Sequence, residues 1–182
     1  MESGNDAARA VDDWMSRNAT AIGWRRLSRR HAGSFDLGAD SPHSAVLQVV
    51  DGEWHLQLET AKGRSMPVLG AVDSPLEVLL DALMFAVYMR ATAEVDRADR
   101  TASAQLSLLL HQLAEATDDA RYGGRAALLL AGHAIKDGQR LEARSRIEDA
   151  VRLFAVARDL TAEENARTVL ADLPRLMSNT GA

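Results

Sequence analysis

The sequence predicts an α+β protein with an N-terminal helix, then a four- or five-stranded, mostly antiparallel sheet backed by a long helix, and last a C-terminal α-helical bundle. Three observations carry this expectation. Residues 45–60, AVLQVVDGEWHLQLET, alternate about Asp51-Gly52, a pair suited to a two-residue hairpin because both central positions take positive φ. Val72-Asp73-Ser74-Pro75-Leu76-Glu77 has the form of a helix start, with Ser74 as cap, Pro75 at the first helical position and Glu77 closing a capping box. Beyond residue 100 the apolar residues recur at helical spacing throughout.

The hairpin fixes its own register. Turning at Asp51-Gly52 pairs Val49 with Trp54, Leu47 with Leu56 and Ala45 with Leu58, which makes one face wholly apolar. Val50 with Glu53, Gln48 with His55, Val46 with Gln57 and Ser44 with Glu59 form a mostly polar second face. Trp54 is therefore expected in the core, and His55 outward beside Gln48.

Around the hairpin the remaining elements follow in order. Asn5 or Asp6 can cap a first helix whose Ala8, Val11, Trp14 and Met15 share a face, and Asn18 to Gly23 ends it. Strands are expected at Trp24 to Ser28, at Ser34 to Leu37, and from about Arg64 to Leu69 after a turn at Lys62-Gly63. Pro67 cannot donate to a ladder, which places the last strand at an edge.

The long helix carries Leu76, Leu79, Leu80, Leu83, Met84 and Val87 on one stripe, and Val78, Phe85 and Met89 widen it. A helix this apolar around its girth is expected to be covered twice, by the sheet and by the C-terminal helices. AEVDRADR, residues 93–100, alternates charge and reads as a solvated helix end or connector. It separates a sheet domain, 1–96, from a helical region, 97–182, expected to pack on it. Within that region Leu106, Leu109, Leu110 and Leu113 form one stripe, Ala126 to Ile135 a second helix, and Ala143 to Ala157 a third. Thr161-Ala162-Glu163-Glu164 boxes a fourth, which Pro174 bends or ends.

Composition excludes several classes. A chain of 182 residues with 47% hydrophobic residues can bury a core as one domain or two small ones. A net charge of -5 argues against a dedicated nucleic-acid binder, whose backbone contacts need clustered cation. The absence of cysteine removes disulfides, thiolate zinc sites and cysteine nucleophiles together. MESGNDAARA lacks the basic and apolar regions of a signal peptide, so a cytoplasmic location is expected. LEVLLDALMFAVYM is too short to span a bilayer and carries Glu77 and Asp81, so no membrane association is expected.

The motifs of catalysis are missing. His31, His43, His55, His111 and His133 are scattered, with none at metal-ligand spacing. There is no phosphate-binding G-x-x-x-x-G-K-[ST], and Gly123-Gly124 follows no clear strand. No G-x-S-x-G elbow occurs. The pairs Asp12-Asp13, Asp118-Asp119 and Glu163-Glu164 are adjacent, so on a helix their members diverge, and capping or solvation is expected of each. No enzyme, cofactor or metal is expected.

One patch concentrates cation. Arg25-Arg26-Leu27-Ser28-Arg29-Arg30-His31 follows Trp24 directly, and Arg25, Arg26, Arg29 and Arg30 are the candidate partner contacts, able to hold carboxylates through bidentate pairs. The plainer role for the same residues is the solvated side of a strand and its turn.

Residues 20–90, through Gly23-Trp24, the Asp51-Gly52-Glu53-Trp54 hairpin and the leucine-rich helix, resemble the small actinobacterial immunity proteins of polymorphic toxin systems. The resemblance implies a non-enzymatic protein-binding module that occludes a toxin. Two other readings stand beside it. One is a cytoplasmic secretion chaperone or adaptor for a secreted client, in which the wide apolar helix would support a homodimer. The other is a nucleic-acid-associated regulator using the arginine patch.

Overall fold

The computed structural model describes residues 3–29, 31–96 and 98–178. Two compact units divide it, Met1–Gln112 and Leu113–Ala182. The first is the expected α+β assembly. Helix α1 (Ser3–Arg17) is followed by β1 (Trp24–Arg26), β2 (Ala32–Phe35), β3 (Ser44–Val50), β4 (Glu53–Thr60), β5 (Gly63–Ser65) and β6 (Val68–Ala71), and then by α2 (Leu76–Asp96) and the greater part of α3 (Arg100–Thr117), whose last turn belongs to the second unit. The six strands form one antiparallel sheet in the order β1-β2-β3-β4-β5, with β6 also paired to β4.

The hairpin register is the one its turn dictates, from Ser44↔Glu59 to Val50↔Glu53. Asp51 and Gly52 both take positive φ, 52° and 82°. Ala45, Leu47, Trp54, Leu56 and Leu58 are buried together on the inner side. His55 lies opposite Gln48 as expected, yet it is buried rather than outward to solvent. The reason is its strand: β4 is central, and His55 is flanked by Gln48 on β3 and by Val68 on β6.

Several boundaries depart from expectation, β1 among them, which ends at Arg26 rather than Ser28. The second strand is Ala32–Phe35, two residues earlier than Ser34 to Leu37, because Trp24 pairs with Phe35 and lays its indole over Gly33, where an added Cβ would sit 2.0 Å from the ring. Ala and Gly are poor strand formers, but only a glycine leaves room for that ring. The run from Arg64 to Leu69 is two strands, broken at Met66-Pro67, so the sheet has six short strands where four or five were expected. Helix α1 starts at Ser3, ahead of the expected caps, which puts Asp6 in its first turn.

Helix α2 begins where Pro75 allows, with the Leu79 N–H donating to the Pro75 carbonyl at 3.1 Å. Leu79, Leu80, Leu83, Met84 and Val87 are buried, as is Ala91. The widened face is not: Val78, Phe85 and Met89 are each about half exposed. Glu94, read as part of a solvated connector, is wholly buried. Asp99 instead ends that connector, its Oδ1 accepting from the Ala102 N–H at 3.1 Å at the start of α3.

In the second unit, α4 (Ala120–Lys136), α5 (Arg140–Ala157) and α6 (Leu160–Ser178) pack as successive antiparallel neighbours. Asp119 caps α4, its side chain accepting from the Tyr122 N–H at 3.0 Å. The cap of α6 is Asp159, accepting from Ala162 N–H at 3.1 Å, and the helix runs through Pro174 to Ser178. The Gly123-Gly124 pair lies inside α4, and its role is close approach: a Cβ on Gly124 would meet the Phe154 ring at 2.6 Å. Gly132, on the same helix, has nothing within 4 Å. Alanine favours a helix over glycine by about 1 kcal/mol, whereas overpacking costs about 1–3 kcal/mol. Gly132→Ala should therefore raise the chemical-denaturation midpoint and Gly124→Ala should lower it; equal gains from both would mean that α4 and α5 do not touch as described.

Candidate functional site

The exposed face of α2 borders a groove. It runs along the sheet edge formed by β5 and β6, has a volume of about 600 Å³, and is lined by Leu58, Met66, Pro67, Val68, Phe85 and Met89 among others. Its walls stay open to solvent: Met66 is 42% exposed, Val68 53%, Phe85 51% and Met89 50%. Large apolar side chains clustered this way, rather than scattered singly, mark surfaces that meet another molecule.

A buried ionic network holds the wall of the groove in place. Arg90, which also lines it, forms an ion pair with Glu94 one turn on, Nε to Oε1 at 2.7 Å, and the two are 8% and 0% exposed. The same guanidinium donates to Thr60 Oγ1 at 2.9 Å and to the Gly63 carbonyl at 2.7 Å. Thr60 Oγ1 also donates to Glu94 Oε1 at 3.2 Å. Helix α2 is thus bolted to the β4–β5 turn, which fixes the edge strands beside Phe85 and Met89. Spacing alone could have suggested the pair, since Arg90 and Glu94 stand at i, i+4. Nothing in the sequence says that such a pair is buried.

The arginine patch is at the opposite edge. Arg25 and Arg26 are exposed on the edge strand β1, and Arg29 is exposed in the turn after it; Arg30 lies outside the described residues. Arg26 is engaged already, donating to Asp12 Oδ2 on α1 at 2.8 Å. The same oxygen accepts from His31 Nδ1 at 2.7 Å, with His31 at a positive φ of 48°. Asp12 therefore ties the patch to α1 rather than capping or merely meeting water. Charged side chains along a short edge strand also discourage strand addition there.

A second depression, of about 690 Å³, lies where β1 and β2 meet the segment around residues 36–45, and His43 is among its lining residues. The His43 Nε2 stands 3.8 Å from Asp99 Oδ1, beyond hydrogen-bond length. No group of three or more His, Cys, Asp or Glu among the described residues could hold a metal ion. No described helix is long and apolar enough to cross a membrane. No family model, no curated protein and no solved structure matches the chain.

Proposed function

We propose that the chain is a non-enzymatic protein-binding module. The observation that carries this reading is the open apolar groove, since an exposed Phe85, Met89, Met66 and Val68 around one depression favour covering by a protein partner. A toxin is the partner class suggested by the resemblance to immunity proteins, with a secreted client as the alternative. Arg25 and Arg29 offer a second, polar contact at the far edge of the sheet, suited to carboxylates on that partner.

The test is capture by the tagged chain from native-host lysate, with and without nuclease, read by mass spectrometry and by ultraviolet absorbance of the eluate. A protein partner near one-to-one that persists after nuclease, and whose own activity is suppressed in the complex, is the result expected for an immunity protein. A partner secreted by the host and not inhibited would assign the chaperone or adaptor role. Recovery of nucleic acid, or loss of all partners after nuclease, would overturn the reading in favour of a regulator.

A further inference from the structure

We infer that the depression at the β1–β2–β3 end of the sheet binds a free α-amino acid with an uncharged side chain, its carboxylate on Arg25 and its ammonium on Asp36. This goes beyond the binding-module reading and does not rest on it.

The strand register assembles the site. Phe35 and Ala45 are buried on the inner side of the sheet, so their neighbours along the strands, Ser34, Asp36 and Ser44, turn to the outer side. There Arg25 stands opposite Ser34. Asp36 stands opposite Gly23, its N–H donating to the Gly23 carbonyl at 2.7 Å. Ser44 is beside Asp36, one step past the Phe35↔Ala45 pair. Arg25 and Asp36 are thus diagonal neighbours across two paired strands, with Cβ atoms roughly 7 Å apart. What surrounds them is small: Gly23 has no side chain, and those of Ser34 and Ser44 are short. All five residues line the hollow of about 690 Å³, within the ~300–1,000 Å³ of small-molecule sites.

Charge then defines the ligand. Opposite charges this close ordinarily meet, yet among the described residues neither Arg25 nor Asp36 makes an ion pair. Asp36 is held elsewhere, its Oδ1 accepting from the Gly38 N–H at 2.8 Å, which draws the carboxylate over the turn that follows β2. A simple anion on Arg25 would face that carboxylate, and a simple cation on Asp36 would face the guanidinium. A small zwitterion satisfies both, its carboxylate on the guanidinium fork and its ammonium on the second Asp36 oxygen. The hydroxyls of Ser34 and Ser44, without partners among the described residues, supply further hydrogen bonds at the two ends. Ser44 also stands opposite Glu59, which adds a carboxylate on the ammonium side. No other charge awaits the ligand's side chain. His43 lines the depression, but its side chain is 2% exposed and its Nε2 faces Asp99. The rest of the wall, along Ala19, Thr20 and Ala39, is uncharged.

The test is titration of the isotope-labelled full chain with glycine, L-serine, L-leucine and L-phenylalanine, followed by amide chemical shifts. L-Glutamate and L-lysine are the charged comparators. At least one neutral amino acid should bind with a millimolar or lower Kd, more tightly than either comparator, and move the signals of Arg25, Ser34, Asp36 and Ser44. Its carboxamide, which lacks the carboxylate, and its N-acetyl form, which lacks the ammonium, should each bind at least five-fold more weakly. Arg25→Gln and Asp36→Asn should each weaken the free amino acid at least five-fold. Arg25→Gln should no longer distinguish it from the carboxamide, and Asp36→Asn should no longer distinguish it from the N-acetyl form. Both positions are exposed, and far-UV circular dichroism checks that each variant folds. Unmoved signals with every probe would overturn the inference and mean that Arg25 and Asp36 close on each other. So would blocked forms that bind as tightly as the free amino acid, or an unchanged affinity in either variant.

Discussion

Replacing Glu94 by alanine should lower the free energy of unfolding by about 3–5 kcal/mol, the cost of leaving a buried guanidinium without its carboxylate. The residue is wholly buried and holds Arg90 at 2.7 Å, and the Thr60 hydroxyl and the Gly63 carbonyl cannot neutralise the charge left behind. Urea unfolding followed by circular dichroism reads the loss. The double variant Arg90→Met with Glu94→Leu should be less destabilised than Glu94→Ala alone, because it removes both charges instead of stranding one. If the double variant is the worse of the two, the ion pair is a net stabiliser in its own right. The groove should follow the pair: partner capture should fall in Glu94→Ala, since the edge strands lose their bolt to α2.

Trp54→Ala should cost a similar amount, about 3–5 kcal/mol, as a large aromatic leaves a cavity in a close-packed interior. Its side chain sits on the inner face between Val49 and the other buried residues of the hairpin. Among the described residues its indole N–H has no hydrogen-bond partner, although the ring meets the edge of His31 at 6.3 Å. Trp54→Phe should accordingly cost far less than Trp54→Ala, since it keeps most of the buried ring and strands no acceptor. A phenylalanine variant as unstable as the alanine variant would show that the indole nitrogen is bound to something.

The legible parts of this fold are those where two local signals agree. At Asp51-Gly52 the turn residues and the alternation demand the same pairing, and the chain takes it. At Pro75 a fixed φ and an apolar run point to the same helix start, and the helix begins one residue later than expected, at Leu76, without the Ser74–Glu77 box. Signals that depend on a distant neighbour were not legible. Ala32 and Gly33 form a strand because Trp24 needs a residue without a side chain beneath it. Asp12 looks like half of a solvated acidic pair until Arg26 and His31 arrive on either side of one oxygen.

The candidate groove shows the same limit from the other direction. An all-round apolar helix says only that much of its surface avoids water. Which side the chain covers is decided by the sheet behind it, and Phe85 and Met89 are left out. The arginine patch could be read as a patch, but not the fact that Arg26 is committed to α1 while Arg25 and Arg29 stay exposed.

The order of the strands bears on how the chain is made as well as on how it stands. From β1 to β5 each strand pairs with its immediate successor, and β6 reaches back past only one short strand to β4. All pairing therefore lies within one continuous stretch, and its partners are close in sequence, the arrangement that keeps the search for contacts short. On a ribosome, synthesis would deliver each strand just after the one it needs. The sheet could zip from its amino-terminal edge as it emerges, and α2, next out, would close over its apolar face before the later helices had been translated.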